Sequence, residues 1–297
     1  MKELMRKSGR IFVALFLCFC LYPLSAYSQG QRNFLWRVQT KTGTVYMLGS
    51  IHLLKEDVYP LSRTIENAFE KSDSLAVEAN VNAIGQADML SLLDKAMYPG
   101  GDSIENHVSS DTYAFVQKEA ERVGMPIEFF KNQRAWFVGL VMQSLELVNA
   151  GYNPEYGIDK YFLGKARGKK IRELESVQYQ LNLLSGFSER EEELFLLYAL
   201  KDIDVLTRDV DRLVGAWKTG DTRAVERFMT KSIVDDRRFS SIFDKLILSR
   251  NRNMTVKIEG YLQSGGTCFV VVGAAHLIGN KGIVQLLKDK GYSVEQL

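Results

Sequence analysis

The chain has 297 residues, 46% of them hydrophobic and 25% charged, a balance that excludes a disordered or fibrous protein and suits a globular one with a substantial core. Lysine and arginine number 38 against 36 aspartate and glutamate. That near-neutral balance offers no case for a nucleic-acid-binding surface, which needs a concentrated positive face.

The first residues read as an export signal and are set aside from fold reasoning. Lys2, Arg6, Lys7 and Arg10 precede an unbroken apolar run from Ile11 to Leu24, and Ala26 and Ser28 follow as small residues two apart. This is the charged, apolar, small-residue order of a secretory signal peptide, and a run of 14 residues is short of the ~20 that cross a bilayer. Cleavage after Ser28 leaves residues 29–297 as the mature chain, periplasmic or secreted, with a membrane contact only through the leader if it is retained. Without residues 1–28, 34 basic and 35 acidic side chains remain. Cys18 and Cys20 leave with the leader, so Cys268 has no partner for an internal disulfide. Its setting, "GTCFVVVGAAH", marks it as a core residue rather than a reactive thiol.

"NFLWRVQTKTGTVYMLGSIHLL" predicts a β-hairpin, with Phe34 to Val38 and Thr44 to Leu48 rich in aromatic and β-branched residues and a turn glycine in "TKTG". The second strand runs into Gly49 and His52. "VYPLSRTIENAFEKSD" has the apolar period of a helix, and "SLAVEANV" reads as a short buried strand carrying one acid, Glu78. The middle is helical. "QADMLSLLDKAMY", "SDTYAFVQKEAERVG", "RAWFVGLVMQSLELVNAG" and the long "EREEELFLLYALKDIDVLTRDVDRLVGAWKTGD" all place apolar residues at i, i+3 and i+4, with Ser110 or Asp111 as a cap and Gly124 or Gly151 as stops. "KKIRELES" is a strand candidate ending in Glu173 and Glu175, and the chain closes as strand, Gly-x-x-His turn, helix and short strand. Strands at both ends with helices between them predict a single α/β domain over 29–297 with a helical insertion at about 86–165.

Two of the three histidines share one frame. His52 in "LGSIHLL" and His276 in "VVGAAHLIG" each follow an apolar run and a Gly-x-x-His step. The ends of buried strands are where α/β proteins place their sites, and the glycine admits a tight turn there. If the two strands are neighbours, both imidazoles converge and can ligate a divalent metal. An acid at the end of a third strand completes a two-His, one-carboxylate set, and Glu78 is the lone charge in its strand. The bland alternative is two separate structural histidines. Glu175 reads as an acid of the same edge, a supporting hydrogen-bonding acid or a solvated one. Arg250 and Asn251 in "LSRNRNM" read either as a phosphate or carbonyl clamp or as a helix-surface pair. His107 reads as solvated surface, Asp159 as a helix-start acid, and "EREEELF" as the acidic first turn of an exposed helix. No P-loop, GxGxxG fingerprint, GxSxG elbow or HExxH helix occurs.

Taken together, "GSIH", "GAAH", "VEAN", "YGIDKYFLGKARGKKIRELESVQYQ", "WKTGD", "RNRNM" and "FVVVGAAHLIGNKGIVQLLKDKGYSVEQL" resemble the TraB/GumN family, from about Phe34 to Leu297. That family is related to the Tiki metalloproteases and more remotely to erythromycin-esterase-like and haem-binding ChaN-like proteins. The resemblance implies a Tiki-type α/β fold, with a central mixed sheet built from the N- and C-terminal segments and a large helical middle. It implies that His52, Glu78 and His276 hold manganese, cobalt or zinc in a peptidase, with Glu78 or Glu175 taking the water proton and Arg250 stabilising an oxyanion. Two functional classes follow: an exported metal-dependent hydrolase acting on a peptide or other small substrate, or a non-catalytic metal- or haem-binding or interaction protein of the same fold.

Overall fold

The computed structural model describes residues 32–201 and 203–297, and the expected leader at 1–28 lies outside the described residues. In chain order the elements are β1 (Leu35–Gln39), β2 (Gly43–Ser50), α1 (Arg63–Glu70), β3 (Ser74–Val77), α2 (Gln86–Ala96), α3 (Ser110–Arg122), α4 (Ala135–Asn149), α5 (Ile158–Lys165) and β4 (Lys170–Glu173). There follow α6 (Val177–Ser185), α7 (Glu189–Leu200), α8 (Ile203–Lys218), α9 (Thr222–Asp235), α10 (Ser240–Phe243), α11 (Ser249–Ser264), β5 (Gly266–Gly273), α12 (Ala274–Leu277), α13 (Ile283–Asp289) and β6 (Val294–Gln296).

The strands form one mixed sheet in the order β4-β3-β5-β2-β1-β6. The hairpin β1–β2 is antiparallel, with Leu35 opposite Leu48, and β6 closes the far side of β1. The other neighbours are parallel. β5, from the end of the chain, lies between β2 and β3, from its start. Its residues Cys268 to Val272 are all buried, as a parallel strand covered on both faces requires. Cys268 is indeed a free core cysteine, and burial pushes its thiol up. Phe69 of α1, Phe162 of α5 and Phe269 of β5 pack tilted and edge-on into one aromatic knot on the sheet. Two further apolar clusters, away from the sheet, hold α3, α4 and α7 together. No described helix is long and apolar enough to cross a membrane.

The elements agree with the sequence periods, and the differences are local. Ser109, one residue earlier than expected, caps α3 by accepting from the Thr112 N–H. The long stretch from Glu189 is two helices, because Lys201 adopts extended backbone (φ −63°, ψ 134°). Its acidic first turn is not simply exposed. Ser188 and Glu191 form a reciprocal cap, and Glu192 is buried against Arg134. His107 is likewise only partly exposed. Its ring stacks on Tyr98 at 3.9 Å, and its nitrogens bond Asp102 and Glu189 at 2.9 Å each.

Candidate functional site

Parallel strands end on the same side of a sheet, and loops gather there. Ser50, the last residue of β2, pairs with Gly273, the last of β5, and Val77 of β3 pairs with Val271 of β5 and Glu173 of β4. His52 therefore lies two residues beyond β2, Glu78 one beyond β3 and Glu175 two beyond β4. His276 sits in the short helix that leaves β5. The five predicted site residues, His52, Glu78, Glu175, Arg250 and His276, meet on this edge.

Gly273 is their common floor. A Cβ there would stand 3.2 Å from Glu78 Oε1, 3.5 Å from His276 Cδ2 and 3.9 Å from His52 Nε2. Its backbone is at φ −50° and ψ 135°, which any residue adopts, so glycine serves closeness here rather than the tight turn expected from sequence. The Gly273 N–H donates to Glu78 Oε1 at 2.6 Å. Gly157, before α5, lets the chain lie against the His52 carbonyl, where a Cβ would collide.

Each histidine is oriented through Nδ1. His276 Nδ1–H donates to Asn251 Oδ1 at 2.6 Å, and the Asn251 amide donates to the Lys281 carbonyl at 2.9 Å, which assigns its oxygen to the histidine. His276 Nε2 then presents its lone pair towards Glu78 Oε1 at 3.6 Å. His52 Nδ1–H donates to Asp159 Oδ2 at 2.7 Å, and the Ser50 hydroxyl donates to Asp159 Oδ1 at 3.1 Å. A helical turn of π type over Asp244–Leu248 precedes α11, which then carries Arg250 and Asn251 inward. Arg250 donates from Nε to both oxygens of Glu175, and from Nη2 to Glu175 Oε2 at 2.7 Å and Glu78 Oε2 at 2.5 Å. Its Nη1 donates to the Leu246 carbonyl, so most of the guanidinium is engaged within the protein. Gln180 of α6 donates to the same two carboxylates.

Exposure divides the cluster. Glu78, Glu175, Asn251 and His276 are buried, whereas the His52 side chain is 61% exposed and forms the open side. Burial would raise the Glu78 carboxyl, but the charges of His276, Arg250 and His52 and the Gly273 N–H outweigh it and hold it down to about 2. Burial lowers the His276 imidazole to about 4, so it is neutral at physiological pH. The Asp159 charge, against desolvation, raises His52 to about 9.

The donor types here, imidazole nitrogen and carboxylate oxygen, are ones that divalent ions bind. His276 Nε2 faces Glu78 Oε1, and each Nδ1 has the oxygen partner that ligating imidazoles keep. The 3.6 Å between His276 Nε2 and Glu78 Oε1 is too long for a good hydrogen bond and of the order that two ligands of one ion keep at ~2.0–2.2 Å each. As they stand, no three His, Cys, Asp or Glu among the described residues are close enough to hold an ion. The Glu78–His276 pair is set, and His52 stands on its solvent side.

Sequence reasoning missed Asp159 and Gln180. Asp159 does lie in the first turn of α5, but its carboxylate serves His52 rather than the helix. The available signal was its place in "YGID", within a stretch already shared with a known family.

The TraB/PrgY/gumN family model matches residues 34–296, and the chain belongs to that family. It is 27% identical to the uncharacterized protein YbaP of Escherichia coli K12 over 82% of this chain and 87% of that one. An uncharacterized protein of Treponema pallidum is 23% identical over 90% of this chain and 83% of its own. The metalloprotease TIKI2 of Danio rerio is 22% identical over 93% of this chain and 62% of its own. No solved structure matches the chain.

Proposed function

We propose that this member of the TraB/PrgY/gumN family is a metal-dependent hydrolase that cleaves peptide bonds, with His52, Glu78 and His276 as ligands. The observation that carries the reading is the convergence of His52 Nε2, Glu78 Oε1 and the His276 ring on Gly273. The resemblance to a metalloprotease supports the reaction class. A bound divalent ion, manganese, cobalt or zinc, supplies Lewis acidity and lowers the pKa of a coordinated water towards neutrality.

The chain's own residues do the rest. Glu78, held ionised at about 2, is a weak base and a good anionic ligand, which favours ligation over proton transfer. Arg250 and Gln180 fix its Oε2, leaving Oε1 towards His276. Glu175 anchors Arg250 and acts as a positioning residue. Asn251 and Asp159 hold the two rings with Nε2 inward. The same arrangement also serves a protein that binds a metal or haem without turnover.

The test is a peptide-library screen of chelator-treated protein, reloaded with manganese, cobalt or zinc. Cleavage should appear with the ion and fall by about three orders of magnitude or more in Glu78→Gln and His276→Ala, as loss of an essential group does. Cleavage that survives both His52→Ala and His276→Ala overturns the site. One bound ion with no turnover on peptides or esters leaves the binding-protein reading. If the expected leader at residues 1–28 carries the chain out of the cytoplasm, N-terminal sequencing of protein recovered from cells should begin at Gln29.

A further inference from the structure

Directly after Glu78 the chain turns outward and displays apolar side chains to solvent. Val81 and Ile84 are 46% and 41% exposed, and Met89, Leu90, Leu93 and Met97 are 48%, 59%, 51% and 41% exposed. These six are the larger part of the large apolar side chains exposed among the described residues. Residues 89 and 93 are four apart, so they form one stripe along α2, with Leu90 beside it and Met97 just past the helix end. Within α2 only Ala96 is buried. An apolar stripe that the fold leaves uncovered next to a site marks a binding surface.

The stripe is continuous with the site by two routes. It starts three residues past Glu78, whose neighbour Asn80 is tied down by its N–H to Glu173 Oε1 at 2.7 Å. Helix α2 also packs on α6 through Ser91 and Gln178, and two residues on, Gln180 of α6 contacts Glu78 and Glu175. The 11-residue helix is about 16 Å long at 1.5 Å per residue, a length that about five residues of extended peptide cover.

Two other occupants fit less well. Membrane-surface helices carry lysine and arginine on the polar face, whereas α2 has Lys95 against Asp88 and Asp94. A second copy would need more than the face of one 11-residue helix, because a stable interface buries about 800 Å² on each partner.

We infer that the Val81–Met97 stripe is the substrate-docking surface, selecting extended peptides with apolar side chains on one side of the bond to be cleaved. The occupant's identity rests on the hydrolase reading, so binding and turnover are measured apart. The full chain and a Leu90→Ser, Leu93→Ser double variant are titrated with two fluorescein-labelled decapeptide pools, one rich in Leu, Phe and Val and one in Ser and Gln. Both side chains are exposed, so the variant should melt with the parent.

The parent should prefer the apolar pool. The variant should bind it about tenfold more weakly, the order expected for losing part of two leucine contacts, with the polar pool unchanged. On any cleaved apolar peptide, KM should rise by a similar factor with kcat kept. Selective binding lost in the variant without turnover on any peptide keeps the stripe and removes the hydrolase. Turnover with an unchanged apolar preference, or no preference between pools, overturns the stripe. So does a parent dimer that the variant abolishes in sedimentation, or adhesion to phosphatidylcholine vesicles that the variant abolishes.

Discussion

Arg250 holds two buried carboxylates in place, and its chemistry explains why lysine would not replace it. The guanidinium fork meets Glu175 through two nitrogens and Glu78 through one, a geometry that a point-like ammonium lacks. Arg250→Met should destabilise the fold by about 3–5 kcal/mol, because it leaves buried charge unpaired rather than merely losing an attraction. Urea unfolding checks this, and adding Glu175→Gln should restore part of the loss. Gly273→Ala probes the site instead. The new methyl would press on Glu78 Oε1 and the His276 ring, so ion affinity should fall by about 10–100-fold, as disturbed ligand orientation does, with far less effect on unfolding. Isothermal titration with manganese or zinc separates the two effects. The placing of His52, Glu78 and His276 just past strand ends was legible in the chain because strand periods and the repeated glycine–histidine step are local patterns. Asp159 was not, since a helix-start acid and an imidazole anchor look the same until His52, 107 residues away, is seen against it.

Helix ends supply their own predictions. Glu191 accepts from the Ser188 N–H at 2.9 Å, the Ser241 hydroxyl and the Lys245 ammonium, joining the cap of α7 to the π-type turn before α11. Burial alone would raise its carboxyl, but these donors hold it down to about 2, against 4.5 unperturbed. A depressed folded pKa means that the unfolded chain binds more protons between the two values. The stabilisation is therefore complete above pH 4.5 and is lost as pH falls from there towards 2. Glu191→Gln should cost about 1 kcal/mol near neutrality, the usual scale of a lost cap, and little below pH 2. Denaturant midpoints over that range check the sign. His107 works the other way. Burial pulls it down, yet Glu189 and Asp102 prevail and raise it, so its contribution is present at low pH and fades above its ordinary 6.5. Nothing in "SIENHVSSDT" disclosed this, because Glu189, which bonds one ring nitrogen, is 82 residues away.

At the scale of the molecule, the helical half and the sheet are tied through the site. Trp217 of α8 donates its indole N–H to the Gly49 carbonyl at 2.6 Å across 168 residues, just before the turn that carries His52. Trp217→Phe should keep most of the packing and strand that carbonyl, costing about 1–3 kcal/mol in thermal or urea unfolding. The C-terminus closes the other side: β6 covers β1, and the Leu297 N–H donates to the Leu35 carbonyl at 2.9 Å. Removing residues 294–297 should bare an edge strand and raise aggregation in light scattering. The sequence by itself determined the kinds of element, their order, the glycine–histidine steps and the family, because apolar period, turn chemistry and motif spacing are properties of neighbouring residues. The tertiary structure alone decided that β5 enters between β2 and β3, that Gly273 is a floor rather than a hinge, and that Asp159 and Asn251 aim the rings. It also decided that α2 keeps an apolar stripe uncovered. Each of these depends on which distant side chains share a space, and close packing and hydrogen-bond pairing across a hundred residues or more leave no period in the chain.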